Sequence, residues 1–251
     1  MRRFILLTAI CRLSTMAITP AKAEEAAIQQ YLETAQIRET AFRGVEMRVE
    51  IAADLPKLEK TSSLSAIRRI SCAGQVSYTV LASSGDVRVK REIINRYLAA
   101  ESQACDAGGI SVTPTNYEFR LKSTLGPEGH RVQIFRIKPK RKRVGLFKGE
   151  LWLDVQTGMA LREDGQFVKV PSIFLKSIRF VRTYEIRDGV SIPTSIESTL
   201  ETRLMGRVEL SVRFHDLTYQ SRGRCGLRDQ QCFMELRMRT RDNLALLALS
   251  F

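Results

Sequence analysis

The chain has 251 residues, of which 44% are hydrophobic and 27% charged, and its formal net charge is +13. This length and composition predict one large globular domain or two small ones and exclude a globally disordered chain. The basic balance favours anionic partners such as lipid head groups, nucleic acid or acidic glycans, but a solvated surface without a partner has the same composition.

Residues 1–23 have the pattern of a secretory signal peptide. Arg2 and Arg3 form a basic start, an apolar stretch begins at FILLTAIC, and Ala21-Lys22-Ala23 is a small-x-small cleavage site. Arg12 interrupts the apolar stretch, which is far shorter than the ~20 residues that a membrane-spanning helix needs. We therefore expect cleavage after Ala23 and export to the periplasm. Because four basic residues and no acidic residue leave, the net charge falls from +13 to +9.

The cysteine count is compatible with disulfides in an exported protein. One of the five cysteines lies in the signal peptide, and four cysteines permit two disulfides in three connectivities. Pairing Cys225 with Cys232 closes a short loop and leaves Cys72 for Cys105, and the other connectivities remain open. No CxxC pattern is present, so neither a redox motif nor a zinc site is indicated.

The first hundred residues predict two helices around three strands. Apolar residues recur at helical spacing in 24–41, at Ile28, Tyr31, Leu32 and Ala35. The segment VEMRVEIAA at 45–53 alternates and predicts a strand with one buried face, and strands are also expected over 58–71 and 75–83. Residues 86–101 predict a second helix, which Asp86 can cap. Its apolar stripe is expected at Val87, Val89, Ile93, Ile94, Tyr97 and Leu98.

A loop over 102–116 and eight further strands are expected up to residue 219. The turn signals GPEG, QTG, EDG, RDG and MG separate apolar-rich runs, and no βαβ rhythm is present. Sequential strands with short turns favour one large antiparallel sheet, so the predicted class is α+β. The expected strands span 117–123, 130–138, 147–155, 159–162, 166–169, 174–187, 191–204 and 206–219. An arginine-rich tail over 221–251 is expected to be partly disordered.

No catalytic or metal-binding constellation stands out. His130 beside a turn and His215 in a strand fit surface positions, and HExxH, GxSxG, P-loop and GxGxxG patterns are missing from the sequence. Four acids fall at expected strand ends and turns, where such residues are common: Glu150, Asp154, Glu163 and Asp164. We expect a non-enzymatic protein with no cofactor and no metal.

The segment KPKRKRVG at 138–145 is the sharpest electrostatic feature. It holds five basic residues among eight and no acid. One interpretation is a contact for phosphate or an anionic head group, and the other is a solvated loop between two strands. No aromatic residue interleaves with these charges, so nucleic-acid binding is not indicated. The candidate anion contacts are Lys138, Lys140, Arg141, Lys142 and Arg143.

Strand parity predicts one apolar face of the sheet. A long curled sheet covered by only two helices can enclose a ligand cavity, and the alternative is a solid core. In the expected strand 174–187, Arg182 falls on the same side as the alternating apolar residues. A slip of one residue in register would turn each strand's residues to the other face. The candidate cavity residues are Val45, Met47, Val49, Ile51, Leu151, Leu153, Ile178, Phe180, Val208, Leu210, Val212 and Phe214.

Residues 24–219 resemble the outer-membrane lipoprotein-sorting proteins, the LolA-like family with its RseB/MucB-like relatives. The resemblance is carried by the exported N-terminus, the helix before RGVEMRVEI, the segment FRIKPKRKRVGLFKGELWLDVQTGMALREDGQFVK, and then IRFVRTYEIRDGVSIPTSIES. It implies a strongly curved, incomplete antiparallel barrel over 24–220 with helices as a lid. It also implies a carrier that holds acyl chains of a lipoprotein or lipid between barrel and lid.

Two functions are therefore compared. The first is a periplasmic, monomeric carrier of acyl chains, with lipoproteins or lipids and inner- or outer-membrane envelope proteins as partners and no nucleic acid. The second is a basic interaction module, in which the 138–143 loop and the tail bind an anionic surface or another envelope protein.

Overall fold

Two helical segments accompany the sheet. The computed structural model describes residues 20–103, 110–171 and 173–219. Helix α1 spans Pro20–Ala41, so it begins upstream of the predicted cleavage point after Ala23. Helix α2 consists of a first turn Val87–Val89, a π-helical stretch Lys90–Ile94 and an α-helix Asn95–Gln103. Asp86 caps α2 as predicted, because its Oδ1 accepts the backbone N–H groups of Arg88 and Val89.

Ten strands form one antiparallel sheet in the order β3-β2-β1-β10-β9-β8-β7-β6-β5-β4. The first and last strands pair in the interior of the sheet, while β3 and β4 are its two edges, so the curved sheet is not closed. The strands are β1 Val45–Leu55, β2 Lys60–Ile70, β3 Val76–Gly85, β4 Tyr117–Leu125, β5 Val132–Pro139, β6 Phe147–Asp154, β7 Ala160–Phe167, β8 Leu175–Arg187, β9 Val190–Thr202 and β10 Arg207–Tyr219. A short 3-10 turn, Pro56–Leu58, joins β1 to β2.

One face of the sheet, called here the inner face, carries the core. Strand β1 shows it most clearly, because Val45, Met47, Val49, Ile51 and the two following alternate residues are buried. Cross-strand pairing extends the face through β10 to β4 on one side and through β2 to β3 on the other. Both helices pack on this face, since Tyr31 of α1 and Val89, Ile94 and Tyr97 of α2 belong to the same core cluster.

The predicted stripe of α1 packs on the core, but loosely. Ile28, Leu32 and Ala35 are only partly buried there, and of the described side chains of α1 only Tyr31 is fully buried. In α2 the predicted stripe is wrong at Val87, which is 69% exposed. The π-helical stretch shifts the phase of the helix, so Val89 rather than Val87 joins Ile94 and Tyr97 on the buried side.

The sequence prediction of two strands over 159–162 and 166–169 is wrong, because both belong to the single strand β7. The EDG segment is not a turn, and Gly165 has a different role. A Cβ at Gly165 would lie 2.3 Å from the Phe147 ring, so glycine is needed where this buried ring crosses the strand. Asp154 does close a turn as expected, since its Oδ1 accepts the N–H and the hydroxyl of Thr157.

Candidate functional site

The twelve predicted cavity residues all lie on the inner face. Register pairs such as Ile51 with Val212 and Phe180 with Ser198 place them on one side of the sheet. Eleven are buried, with at most 3% exposure, and Phe214 is half-buried. Trp152, which alternates with Leu151 and Leu153 in β6, lies on the opposite face, and the guanidinium carbon of Arg162 lies 5.6 Å from its ring centroid.

Aromatic rings fill one region of the inner face. Phe147 lies 4.9 Å from Phe180 and 6.4 Å from Phe167, both edge-on, and 5.7 Å from Tyr117 between ring centroids. The Tyr117 hydroxyl accepts the backbone N–H of Phe147 at 3.2 Å. Such edge-to-face contacts are favourable beyond the burial of area alone, so this region of the inner face is closely packed.

A buried ionic cluster interrupts the apolar surface between β7 and β8. Arg182 Nη1 donates to Glu163 Oε2 at 2.8 Å, and the Tyr184 hydroxyl donates to Glu163 Oε1 at 3.1 Å. Glu163, Arg182 and Tyr184 are 2%, 5% and 8% exposed. Burial would lower the pKa of Arg182, but Tyr184 and Glu163 hold it above its ordinary value. The guanidinium therefore stays charged inside the fold.

Helix α1 brings a second arginine to this cluster. The guanidinium carbon of Arg38 lies 5.1 Å from the centroid of the Tyr184 ring. Burial opposes its charge, while Tyr184, Tyr31 and Glu163 hold the pKa of Arg38 above its ordinary value. Tyr31 lies seven residues before Arg38, and its pKa is raised by burial and by Glu163. One face of α1 therefore meets the polar cluster of the sheet.

A second buried ion pair ties α2 to the edge of the sheet. Arg68 of β2 donates to Glu101 of α2, with Nε–Oε1 at 2.9 Å, and the Tyr78 hydroxyl of β3 also donates to Glu101. Arg68 is 7% and Glu101 2% exposed. Because breaking a buried ion pair leaves an uncompensated charge, this pair fixes α2 against β2 and β3.

The ionic clusters were mostly missed from the sequence. Glu163 was assigned to a turn, and this is wrong because it is an inward-facing residue of β7. Arg182 gave a signal, since it broke the apolar parity of its strand. Its partner could have been found only with β7 as one strand, in which Glu163 lies opposite Arg182. No simple pattern indicates Arg38, Arg68 or Glu101.

The predicted anion contacts form an exposed segment after β5. Lys138, Lys140, Arg141, Lys142 and Arg143 are all exposed. Lys140 Nζ donates to the Pro114 carbonyl at 2.5 Å. Among the described residues no carboxylate lies within 4.0 Å of Lys138, Arg141 or Lys142. These charges are therefore available to an outside partner.

The other predicted polar sites are placed as follows. Cys72 is disulfide-bonded, and because Cys105, Cys225 and Cys232 are not among the described residues, the predicted pairing stays a prediction. His130 and His215 are both exposed, and His215 Nε2 lies 3.6 Å from Glu50 Oε2. Within the described ranges no three His, Cys, Asp or Glu residues are grouped to hold a metal. No helix in those ranges is long and apolar enough to cross a bilayer.

An open, curved antiparallel sheet of ten strands with two helices over one face defines the α+β class that the sequence predicted. Among solved structures, a LolA superfamily protein from Nitrosomonas europaea is 12% identical, with 77% of this chain and 93% of that chain covered and a TM-score of 0.39. A chain described as an outer membrane lipoprotein-sorting protein domain from Vibrio parahaemolyticus is 13% identical, with 84% and 99% covered and a TM-score of 0.42.

The search also finds a chain of the Pseudomonas aeruginosa MucA/MucB complex, at 11% identity, with 76% and 99% covered and a TM-score of 0.26. These names belong to the group that the strand and turn patterns resembled. At such identities and TM-scores they carry no conclusion about a ligand or partner. No protein-family model and no curated protein matches the chain.

Proposed function

We propose that this chain is an exported, non-enzymatic binding protein that holds the acyl chains of a lipoprotein or lipid between its inner face and its helices. The observation that carries the proposal is the loose packing of α1 over this face. The apolar side of an open sheet is covered by two helices, and α1 contributes only one fully buried described side chain. A cover attached so lightly can move aside at small cost, which a carrier needs for loading and release.

The inner face supplies the driving force for binding. It is lined by Val, Ile, Leu, Met and Phe side chains over most strands, and each CH₂ group removed from water contributes ~0.8 kcal/mol. An acyl chain that displaced the contacts of α1 would therefore recover the apolar burial that the helix gives up. No reactive group is required for this task, and both histidines lie at the surface.

The sequence features that indicate export support the same proposal. The basic start, the apolar stretch and the Ala21-Lys22-Ala23 site are the pattern of a signal peptide. Cys72 is disulfide-bonded, as suits an oxidising compartment. Cleavage after Ala23 would shorten α1 to 24–41 and would leave Tyr31 and Arg38 in place. The partners proposed are the acyl chains themselves and the envelope proteins that deliver and receive them.

Native mass spectrometry of the mature protein, purified from periplasm without detergent, tests the carrier. We expect excess mass that extracts as acyl lipid or lipidated peptide. Since a carrier can be empty, an apo mass is followed by titration with long-chain fatty acids. An apo mass together with no binding of any acyl ligand contradicts the proposal.

A pair of substitutions on β1 tests where the ligand binds. Ile51 lies on the inner face with 1% exposure, and its neighbour Ala52 is exposed on the other side. If the inner face borders the ligand, Ile51→Phe should weaken acyl binding about tenfold, a loss of ~1.4 kcal/mol, and Ala52→Phe should not. A solid core predicts instead that Ile51→Phe costs about 1–3 kcal/mol of stability through overpacking, with ligand affinity unchanged.

A second candidate function rests on the exposed basic segment Lys138–Arg143. Its charges lie at the end of β5, and exposed Lys148 and Arg179 add positive charge on the outer face of the sheet. A cluster of this kind is attracted to anionic lipid. In this function the protein would dock on an anionic membrane surface through this segment, whether or not an acyl chain is bound at the inner face.

Sedimentation with vesicles of phosphatidylglycerol and phosphatidylcholine tests the second candidate. Arg141→Ser with Lys142→Ser should reduce binding and its salt dependence, since charges are screened beyond ~10 Å at 0.1 M salt. Lys57→Ser with Arg88→Ser removes the same charge from other exposed positions and serves as the control. Binding that salt does not weaken contradicts docking by charge.

A further inference from the structure

Two arginines from different elements meet at Tyr184. Arg182 of β8 has 5% exposure and hydrogen-bonds the Tyr184 hydroxyl at 3.4 Å, while Arg38 of α1 lies 5.1 Å from the centre of the same ring. The Phe180 ring lies 5.6 Å from the Arg182 guanidinium carbon. Positive charge therefore converges at one point of an otherwise apolar interior.

In the part of the chain that the structure describes, one carboxylate compensates these two charges. Both oxygens of Glu163 are used, one by Arg182 Nη1 and the other by the Tyr184 hydroxyl. Among the described residues, no carboxylate lies within 4.0 Å of Arg38, and no acceptor pairs with Nε or Nη2 of Arg182. The cluster thus has one surplus positive charge, and Nε and Nη2 of Arg182 are free to donate to a ligand.

A hydroxyl without a partner lies on the helix above. Tyr97 of α2 is 2% exposed, and its hydroxyl is buried with no hydrogen-bond partner. Leaving such a group unpaired is unfavourable, so buried hydroxyls nearly always have a partner. Burial raises the pKa of Tyr97 against the opposing positive charges of Arg68 and Arg182, so the phenol lies in their field. An unpaired hydroxyl donor on which the charge of Arg182 acts is complementary to an anion.

We propose that Arg38, Arg182, Tyr184 and Tyr97 form an anion-binding subsite that takes the acidic head group of the bound amphipath. The inference rests on the proposed function, because the apolar chain of the same ligand must lie on the inner face. A carboxylate and a phosphate share the required chemistry, which is a compact negative charge that accepts several hydrogen bonds. Glu163 holds Arg182 in place when the subsite is empty.

Three ligands that share one chain test the subsite: hexadecanoate, hexadecanol and hexadecyl phosphate. Equilibrium dialysis gives each affinity, at concentrations below the critical micelle concentration of each anion and below the solubility limit of hexadecanol. We expect at least one anionic ligand to bind about tenfold or more tightly than hexadecanol, as charge-assisted hydrogen bonds imply. The stronger of the two anions identifies the head group as carboxylate or phosphate.

Tyr97→Phe is the sharpest variant, because it removes only the unpartnered hydroxyl. It should weaken binding of the preferred anion about tenfold, leave hexadecanol binding unchanged, and keep or raise the thermal midpoint of the empty protein. Glu163→Gln should have the opposite effect and tighten anion binding, since it removes the carboxylate that competes for Arg182. Arg179→Gln, on the exposed side of the same strand, loses the same charge as Arg182→Gln and should leave all three affinities unchanged.

The outcomes separate the two proposals. If none of the three ligands binds the unmodified protein, the carrier function fails and the subsite fails with it. If all three bind equally and Tyr97→Phe changes nothing, the carrier function stands and the subsite is refuted. A loss for Tyr97→Phe that is equal for hexadecanol and the anions also refutes the subsite, because the hydroxyl then acts on the chain.

Discussion

The buried pair of Arg68 and Glu101 gives the first prediction at the scale of single residues. Glu101→Gln removes one charge and leaves Arg68 buried without a full partner, which costs about 3–5 kcal/mol. Replacement of both residues by Met and Leu should recover most of that loss, because neither charge then remains. Urea unfolding measures the free energy of unfolding of both variants.

The matched control for that pair is Glu92→Gln. Glu92 pairs with Arg96 on the exposed side of α2 at 2.6 Å, and such surface pairs contribute roughly 0.2–1 kcal/mol. A loss for Glu101→Gln as small as that of the control would show that the buried pair does not hold α2 on the sheet.

Buried tyrosines give a prediction about alkaline pH. Burial raises the pKa of four of them above the ordinary value of 10.0: Tyr31, Tyr97, Tyr117 and Tyr184. The folded chain keeps these protons while the unfolded chain releases them near pH 10. Since the unfolded state then binds fewer protons, stability is fully present below pH ~10 and falls above it.

Each such tyrosine contributes a slope of about 1.4 kcal/mol per pH unit above its unfolded pKa. Urea unfolding between about pH 8 and pH 11 measures the total slope. Because other groups also titrate in this range, the comparison with Tyr97→Phe isolates the contribution of one tyrosine. The slope of this variant should be shallower by about 1.4 kcal/mol per pH unit. Equal slopes in the two proteins would contradict the raised pKa of Tyr97.

Residue positions could be predicted from the sequence where packing alone decides them. Alternation placed all twelve apolar candidates on one face, because a strand with one buried face must alternate. Glu163 could not be placed, because EDG is also the composition of a turn. Glycine is required at 165 because the ring of Phe147, eighteen residues earlier in the sequence, leaves no room for a Cβ. No local sequence pattern indicates such a contact.

Among the elements, α1 is the one that the proposed carrier function requires to move. It contacts the turn after β6 through side chains, where Gln30 Nε2 donates to the Gln156 carbonyl at 3.0 Å and Thr34 Oγ1 to the Gly158 carbonyl at 3.2 Å. Gly158 permits this approach, since a Cβ there would lie 2.6 Å from Gln30 Cγ. These few polar contacts hold the helix at that end.

Tethering α1 to this turn should slow ligand exchange. Gln30→Cys with Gln156→Cys, joined by a short bismaleimide, should reduce the rate of acyl-ligand release about tenfold, as expected if lid opening is the limiting step. Equilibrium affinity should change little, because the closed state already has the helix there. The measurement is displacement of a preloaded ligand by an excess of unlabelled ligand.

The single-cysteine variants treated with the same reagent are the controls for the tether. Release at an unchanged rate in the tethered protein would show that ligand leaves by another route, such as the open gap between the edge strands β3 and β4. Either result shows whether the ligand leaves past α1 or by another route.

Element type was more predictable than element boundaries. The change from period two to helical spacing identified both helices, and Asp86 identified the start of the second one. The π-helical stretch of α2 was not predictable, because a single extra residue in a helix leaves no compositional trace. The division of β7 into two strands shows the same limit in a sheet, since glycine inside a strand resembles a turn.

At the scale of the whole molecule, the β1–β10 seam joins two halves of one sheet. Leu210 of β10 is 2% exposed, and it lies opposite Ala53 of β1 and Ser198 of β9. Leu210→Ala should cost about 2–5 kcal/mol, because it leaves a cavity in the core. Leu204→Ala, at a position with 78% exposure near the same strand end, should cost almost nothing.

The single tryptophan reports whether the halves unfold together. Trp152 lies on β6, four strands away from β10 in the sheet. In Leu210→Ala, denaturant transitions followed by Trp152 fluorescence and by far-UV circular dichroism should shift together, as one cooperative unit requires. If the fluorescence transition stayed in place while the other moved, the two halves would be separate folding units.

The position of β1 beside β10 also sets an order of events during synthesis. The two strands are joined between residues 172 apart in sequence, as in the contact of Thr218 with Glu46. A ribosome that adds about 5–20 residues per second makes β10 roughly 10–30 s after β1. Throughout that interval, the hairpin of β1 and β2 has one side whose N–H and C=O groups lack their final partner. The nascent chain therefore presents an unpaired strand edge to any holding chaperone, and the seam between β1 and β10 is the last part of the sheet that the chain can complete.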